Sequence, residues 1–111
     1  MGVPAFLEQR RMQRRHVTTL LPGTLLDAEQ RVLQCKPVDI SPEGLSILSG
    51  AVLPVGTALE LKTHNASIAF EVIWQKPDFG KKGLVRYGLK ACDPAVDLET
   101  LFRDAGCLKT L

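Results

Sequence analysis

Two clusters in this sequence bring together residue types that a small structural domain seldom needs. The first is Gln9-Arg10-Arg11-Met12-Gln13-Arg14-Arg15, where an R-x-x-x-R spacing occurs twice, Arg10 with Arg14 and Arg11 with Arg15. The second is Asp39-Ile40-Ser41-Pro42-Glu43-Gly44, a D-x-S-x-x-G segment. A guanidinium is a permanent cation whose planar fork pairs with phosphate oxygens or base edges, and whose flat face stacks on rings. An aspartate, a hydroxyl and a glycine within six residues offer an acceptor, a short donor-acceptor and room for close backbone approach. Each cluster also has an ordinary reading. Arginines ahead of a first strand can be a solvated arm, and Asp, Ser, Pro and Gly are common turn residues. Their joint occurrence is the more specific signal.

The distribution of charge points the same way. Fourteen Lys and Arg against twelve Asp and Glu give a net +2 over 111 residues, which by itself does not suggest a polyanion partner. The first sixteen residues, however, hold four arginines and one glutamate, so the remaining chain is slightly acidic. The excess positive charge sits in one short arm, which divides the chain into a basic arm at 1–16, expected to be flexible, and a folded unit at 17–111. With 45% hydrophobic residues, that unit has material for a single core.

The elements that must position these residues read as strands. Short apolar runs with period-two alternation, cut by Pro, Gly and Asp, recur between Val17 and Ala91. Val17 to Leu26 is the first predicted strand, with Pro22 and Gly23 marking an edge or a bulge. Arg31 to Asp39 is the second, and Ser41 to Gly44 the turn after it, with Gly44 expected to take backbone angles closed to other residues. Gly44 to Leu48, Leu59 to Lys62 and Ile68 to Trp74 follow, with a turn at Thr63 to Ala66. In the clearest alternation, Ile68, Phe70, Val72 and Trp74 share one face, so Trp74 is expected in the core. Lys76 to Gly83 reads as a loop and Leu84 to Ala91 as the last strand, where Arg86 and Lys90 are expected on a solvated face, with added positive potential for the site as the alternative if that face turns towards it. Past Asp93 the period changes: Asp93 as N-cap, Pro94 at the first helical position, and Leu98, Leu101 and Phe102 at i, i+3 and i+4 predict a short helix closing at Ala105-Gly106. The fold class is therefore all-β, a small six-stranded antiparallel barrel or sandwich with a C-terminal helix.

Several functions are disfavoured. No run approaches the ~20 apolar residues of a membrane-spanning helix, and Met1 to Leu7 lacks the features of a signal peptide, so a soluble cytoplasmic protein is expected. Cys35, Cys92 and Cys107 are odd in number and far apart; they read as reduced, mostly buried small hydrophobes and not as metal ligands. His16 and His64 lie in no motif with a nucleophile. No cofactor, metal or catalytic residue is expected.

Taken together, the arm and the turn resemble the PilZ domain family, whose members bind the bacterial second messenger cyclic di-GMP through an R-x-x-x-R arm and a [D/N]-x-S-x-x-G turn. The resemblance extends through Leu45-Ser46-Ile47, Val72-Ile73-Trp74 and Tyr87-Gly88-Leu89, and it implies a six-stranded PilZ-type barrel with a terminal helix. It also implies that Arg10, Arg11, Arg14, Arg15, Asp39, Ser41 and Gly44 bind the ligand. The arginines would meet phosphate or the O6 and N7 of guanine, Asp39 would accept from guanine N1–H and N2–H₂, Ser41 would contact phosphate or base, and Gly44 would let the backbone approach. Two arginine registers are open. Arg11 with Arg15, nearer the first strand, is preferred, leaving Arg10 with Arg14 as the other pair or as auxiliary contacts. The implied function is a receptor whose arm clamps the ligand and whose ordering is read by a downstream effector protein. A nucleotide-independent interaction adaptor on the same fold, and a small nucleic-acid-binding barrel, are the alternatives; no DNA or RNA partner is expected.

Overall fold

The computed structural model describes residues 15–16, 20–77, 80 and 83–108. Seven antiparallel segments form one sheet: β1 (Arg15–His16), β2 (Gly23–Leu26), β3 (Lys36–Ser41), β4 (Gly44–Ser49), β5 (Ala58–Thr63), β6 (Ser67–Pro77) and β7 (Val85–Ala91). Their order across the sheet is β1-β3-β4-β7-β6-β5-β2. Six of them, β2 to β7, are full strands, and β1 is a two-residue addition at the edge. The sheet curls into a half-barrel, and a short helix, α1 (Leu98–Asp104), completes the fold.

Alternation decides which face is buried. Ile40, Leu45, Ile47, Leu61, Phe70 and Leu89 are almost wholly inaccessible on the concave side, and Leu98 and Phe102 of α1 join them. The predicted inward set Ile68, Phe70 and Val72 is buried, while Ala69, Glu71 and Ile73 face out. Tyr87 lies in the core with a satisfied hydroxyl: it donates to the Ala51 carbonyl at 2.6 Å and accepts from the Leu53 amide at 3.1 Å. Those two bonds pin the β4–β5 connection onto β7.

Several boundaries differ from the sequence expectation. Leu20 to Pro22 lie outside any strand, so β2 begins only at Gly23, while residues 17–19 lie outside the described residues. The strand expected over Arg31 to Asp39 starts at Lys36. Before it, the chain turns at Asp27 to Arg31, and Val32 and Leu33 make only a brief bridge to β2. β3 instead runs on to Ser41, because Ser41 pairs with Gly44 across a two-residue connection, Pro42-Glu43. β6 extends to Pro77, so the expected Lys76-to-Gly83 loop is shorter; of it, 78, 79, 81 and 82 lie outside the described residues.

The helix starts one turn later than expected. Asp93 and Pro94 form a turn in which the Asp93 carboxylate accepts from the Ala95 amide at 2.9 Å. The N-cap is Asp97, in extended conformation, accepting from the Thr100 amide at 3.2 Å and its hydroxyl at 2.8 Å. The C-terminus falls where predicted. Gly106 has φ +73°, its amide bonds to the Arg103 carbonyl, and the Cys107 amide reaches the Phe102 carbonyl at 2.8 Å, which closes a Schellman motif.

The three cysteines separate by environment. Cys107 is buried and Cys35 half-buried, but Cys92 is exposed at the end of β7, against the expectation of burial. No helix among the described residues is long and apolar enough to cross a membrane.

Candidate functional site

The convex face of the sheet is not uniformly solvated. Register places Asp39 of β3 opposite Ser46 of β4, Ser46 opposite Gly88 of β7, and Gly88 opposite Trp74 of β6. These four residues form one row across the outer face. Asp39 is 6% exposed, and a carboxylate so withdrawn from water needs compensating partners. Ser46 Oγ donates to Asp39 Oδ1 at 2.5 Å, and Arg86 Nη2 donates to Asp39 Oδ2 at 3.2 Å. Arg86 is thus half-buried and ion-paired, which corrects its expected place on a solvated face. Desolvation offsets much of what such a pair gains, but removing one member leaves the other charge stranded away from water.

Trp74 reaches this row through a bulge. Val72 pairs with Leu89 and Trp74 with Gly88, so Ile73 is one extra residue in β6. The extra residue reverses the alternation beyond it. Trp74, expected beneath the sheet with Phe70 and Val72, therefore stands half-exposed above it. Gly88 makes room for the ring: a Cβ there would lie 2.1 Å from Trp74 Cε2 and 2.2 Å from Nε1.

Beside the indole lies a cleft of about 220 Å³, bordered by Ser41, Glu43, Gly44, Ile73, Trp74 and Lys90 among others. Gly44 has an ordinary backbone conformation, contrary to the expected special angles. What it permits is close strand approach, since a Cβ would meet the Leu89 carbonyl oxygen at 2.6 Å. On the other side of Trp74 a second hollow, about 280 Å³, is lined by Asp39, Ser46, Trp74, Lys76 and Arg86. The indole is therefore a partition between two compartments. Among the described residues no three His, Cys, Asp or Glu side chains gather as a metal site would require.

The sequence profile of the PilZ domain matches residues 8–104. The chain belongs to the PilZ domain family. Searches of curated proteins and of solved structures return no match. The match runs from residue 8, just ahead of the arginine cluster, to the last residue of α1, so the arginines are part of the PilZ domain as the family defines it.

Within this PilZ domain, the turn residues stand as follows. Ser41 and Gly44 face each other at the mouth of the first cleft, and Asp39 sits two residues back along β3, in the second compartment. Arg10, Arg11 and Arg14 lie outside the described residues. The backbone of Arg15 is paired, in β1, opposite Ile40, with His16 opposite Asp39. Because β1 is antiparallel to β3, the chain enters β1 from the Ser41 end. Three residues of this face, Ser46, Trp74 and Arg86, were not picked out as functional from the sequence. Ser46 and Arg86 lie 7 and 47 positions from the carboxylate they serve, and nothing local marks either.

Proposed function

We propose that this PilZ domain is a cyclic di-GMP receptor that binds its ligand on the convex face, with the arginine arm closing over it, and passes the signal to a partner protein. The observation that carries the reading is the gathering of Ser41 and Gly44 of the D-x-S-x-x-G segment with Trp74 and Lys90 around one cleft. An aromatic ring, a hydroxyl and an ammonium group suit a planar anionic ligand. At about 220 Å³ the cleft is below the ~300–1,000 Å³ usual for a small-molecule pocket. It suits a single base, with the rest of the dinucleotide held by groups from elsewhere. The arm is the nearest source, since β1 joins the sheet beside β3. The reading is one of binding, with no reaction assigned to the face.

Asp39 enters this scheme already engaged. Its two oxygens accept from Ser46 and Arg86 on the far side of the indole from the cleft, so Asp39 serves the reading by orienting Arg86 and not as an acceptor for a guanine edge.

Isothermal titration calorimetry at micromolar protein tests the reading. Saturable binding of cyclic di-GMP is expected, weakened about 10- to 100-fold by Arg11→Ala, Arg15→Ala or Asp39→Ala, the scale of one bidentate arginine-guanine pair. Absence of saturable binding would favour the nucleotide-independent adaptor. A nucleic-acid platform fits less well, because such surfaces present rows of aromatics and Trp74 is the only described aromatic residue that reaches the surface.

A further inference from the structure

Arg86 makes incomplete use of its donors. Nη2 bonds to Asp39, but Nε is buried and has no hydrogen-bond partner. A buried guanidinium N–H without an acceptor is rare enough to require a reason. Across the strand pair, Lys76 is directly opposite Arg86 in register. Like charges in that position repel, and Asp39 offsets only one of them. Arg86, Lys76 and Asp39 together leave one excess positive charge in the compartment they share with Ser46 and Trp74.

We propose that this compartment is an oxyanion subsite of phosphate class, with Arg86 a ligand-contacting residue outside both sequence motifs. The part-exposed guanidinium donates to one oxygen and, in turning towards it, gives the covered Nε–H an acceptor; Lys76 supplies the second cation, and the indole walls the subsite from the cleft that takes a base. A phosphodiester, carrying one negative charge, matches the one excess positive charge. The proposal rests on the reading that a nucleotide occupies this face, since the two compartments flank the same indole. It adds where one of the ligand's phosphodiesters would sit.

The test follows the Arg86 Nε–H resonance by NMR while the wild-type protein is titrated separately with cyclic di-GMP and with inorganic phosphate, alongside calorimetry on Arg86→Lys and Lys76→Gln. Lysine keeps the charge but has no fork, so Arg86→Lys is expected to weaken cyclic di-GMP binding about tenfold. Lys76 is exposed, so Lys76→Gln should fold normally and weaken binding severalfold even if Arg86→Lys does not fold. A saturable shift of the Arg86 resonance with cyclic di-GMP, at far lower concentration than with phosphate, supports the subsite and identifies the nucleotide as its source. Binding within twofold of wild type in Lys76→Gln, with the Arg86 resonance unmoved, overturns the subsite and leaves the receptor reading intact. If the wild type does not bind cyclic di-GMP, the receptor reading falls, and the phosphate titration alone decides: a saturable Arg86 shift supports the subsite, and no shift ends it.

Discussion

Trp74 occupies the space that Gly88 leaves by having no side chain. An added Cβ would lie 2.1 Å from the indole, well inside van der Waals contact. Gly88→Ala is therefore expected to drive the ring off the sheet and to destabilise the fold by about 1–3 kcal/mol, the usual cost of overpacking. Trp74 is the chain's only tryptophan, so its emission reports the change directly. The maximum should move to the red and acrylamide quenching should rise; unchanged emission in a folded variant would refute the contact.

Ser46 is 1% exposed and its hydroxyl is committed to Asp39. Ser46→Ala leaves a buried carboxylate one donor short. The expected loss is about 1–3 kcal/mol in urea unfolding, with the m-value unchanged. A variant as stable as wild type would mean that the carboxylate finds another donor at no cost.

Acid should loosen the C-terminal helix first. The hydroxyl and amide of Thr100 hold the Asp97 carboxyl below the ordinary carboxylate range. A folded-state pKa below the unfolded value gives stability that is present above about pH 4 and is lost as pH falls through the folded value. Asp97→Asn keeps an oxygen to cap the helix but has no proton to gain. Melting curves from pH 6 to pH 2.5 should show a shallower decline for this variant than for wild type. The slope will not vanish, because Glu60, held low chiefly by the Ser67 hydroxyl, and Asp27, held low chiefly by the Arg31 amide, titrate in the same direction.

Thiol chemistry should separate the three cysteines. Cys92 is exposed, Cys107 is buried with its thiol pushed up by burial, and burial pushes Cys35 up to about 11. At pH 8, Ellman's reagent is expected to titrate one thiol quickly and the other two only after urea is added. Cys35 also makes stability fall as pH rises from about 9 towards 11, because the unfolded chain ionises first. Two fast thiols in the native protein would contradict this placement.

Much of this was legible in the residues themselves. The alternation of Ile68, Phe70 and Val72, and of Tyr87 and Leu89, identifies the buried face. Ser41-Pro42-Glu43-Gly44 marks the tight connection, and Ala105-Gly106 marks the end of the helix. The failures have physical causes. Asp93-Pro94 and Asp97 are both good helix starters, and the choice falls to Asp97 because Thr100 can answer it with two donors. Pairing between Asp39 and Arg86 depends on strand order, which alternation cannot supply. The bulge at Ile73 carries no glycine or proline to announce it, so Trp74 reads as core by a rule that holds only up to the residue before the bulge.

That bulge lets one strand serve two unlike purposes. Up to Val72, β6 lines the core; from Trp74 on, it furnishes the outer face between the two hollows, and the change of side takes a single residue. A one-codon deletion at Ile73 would make Trp74 the immediate successor of Val72 and restore strict pleating with the indole still opposite Gly88 on the outer face, so its emission should hardly move. β6 can thus carry or lose this one residue and still present Trp74 to Gly88, so the outward place of the indole is fixed by its partner across the sheet and not by its distance along the chain from Phe70.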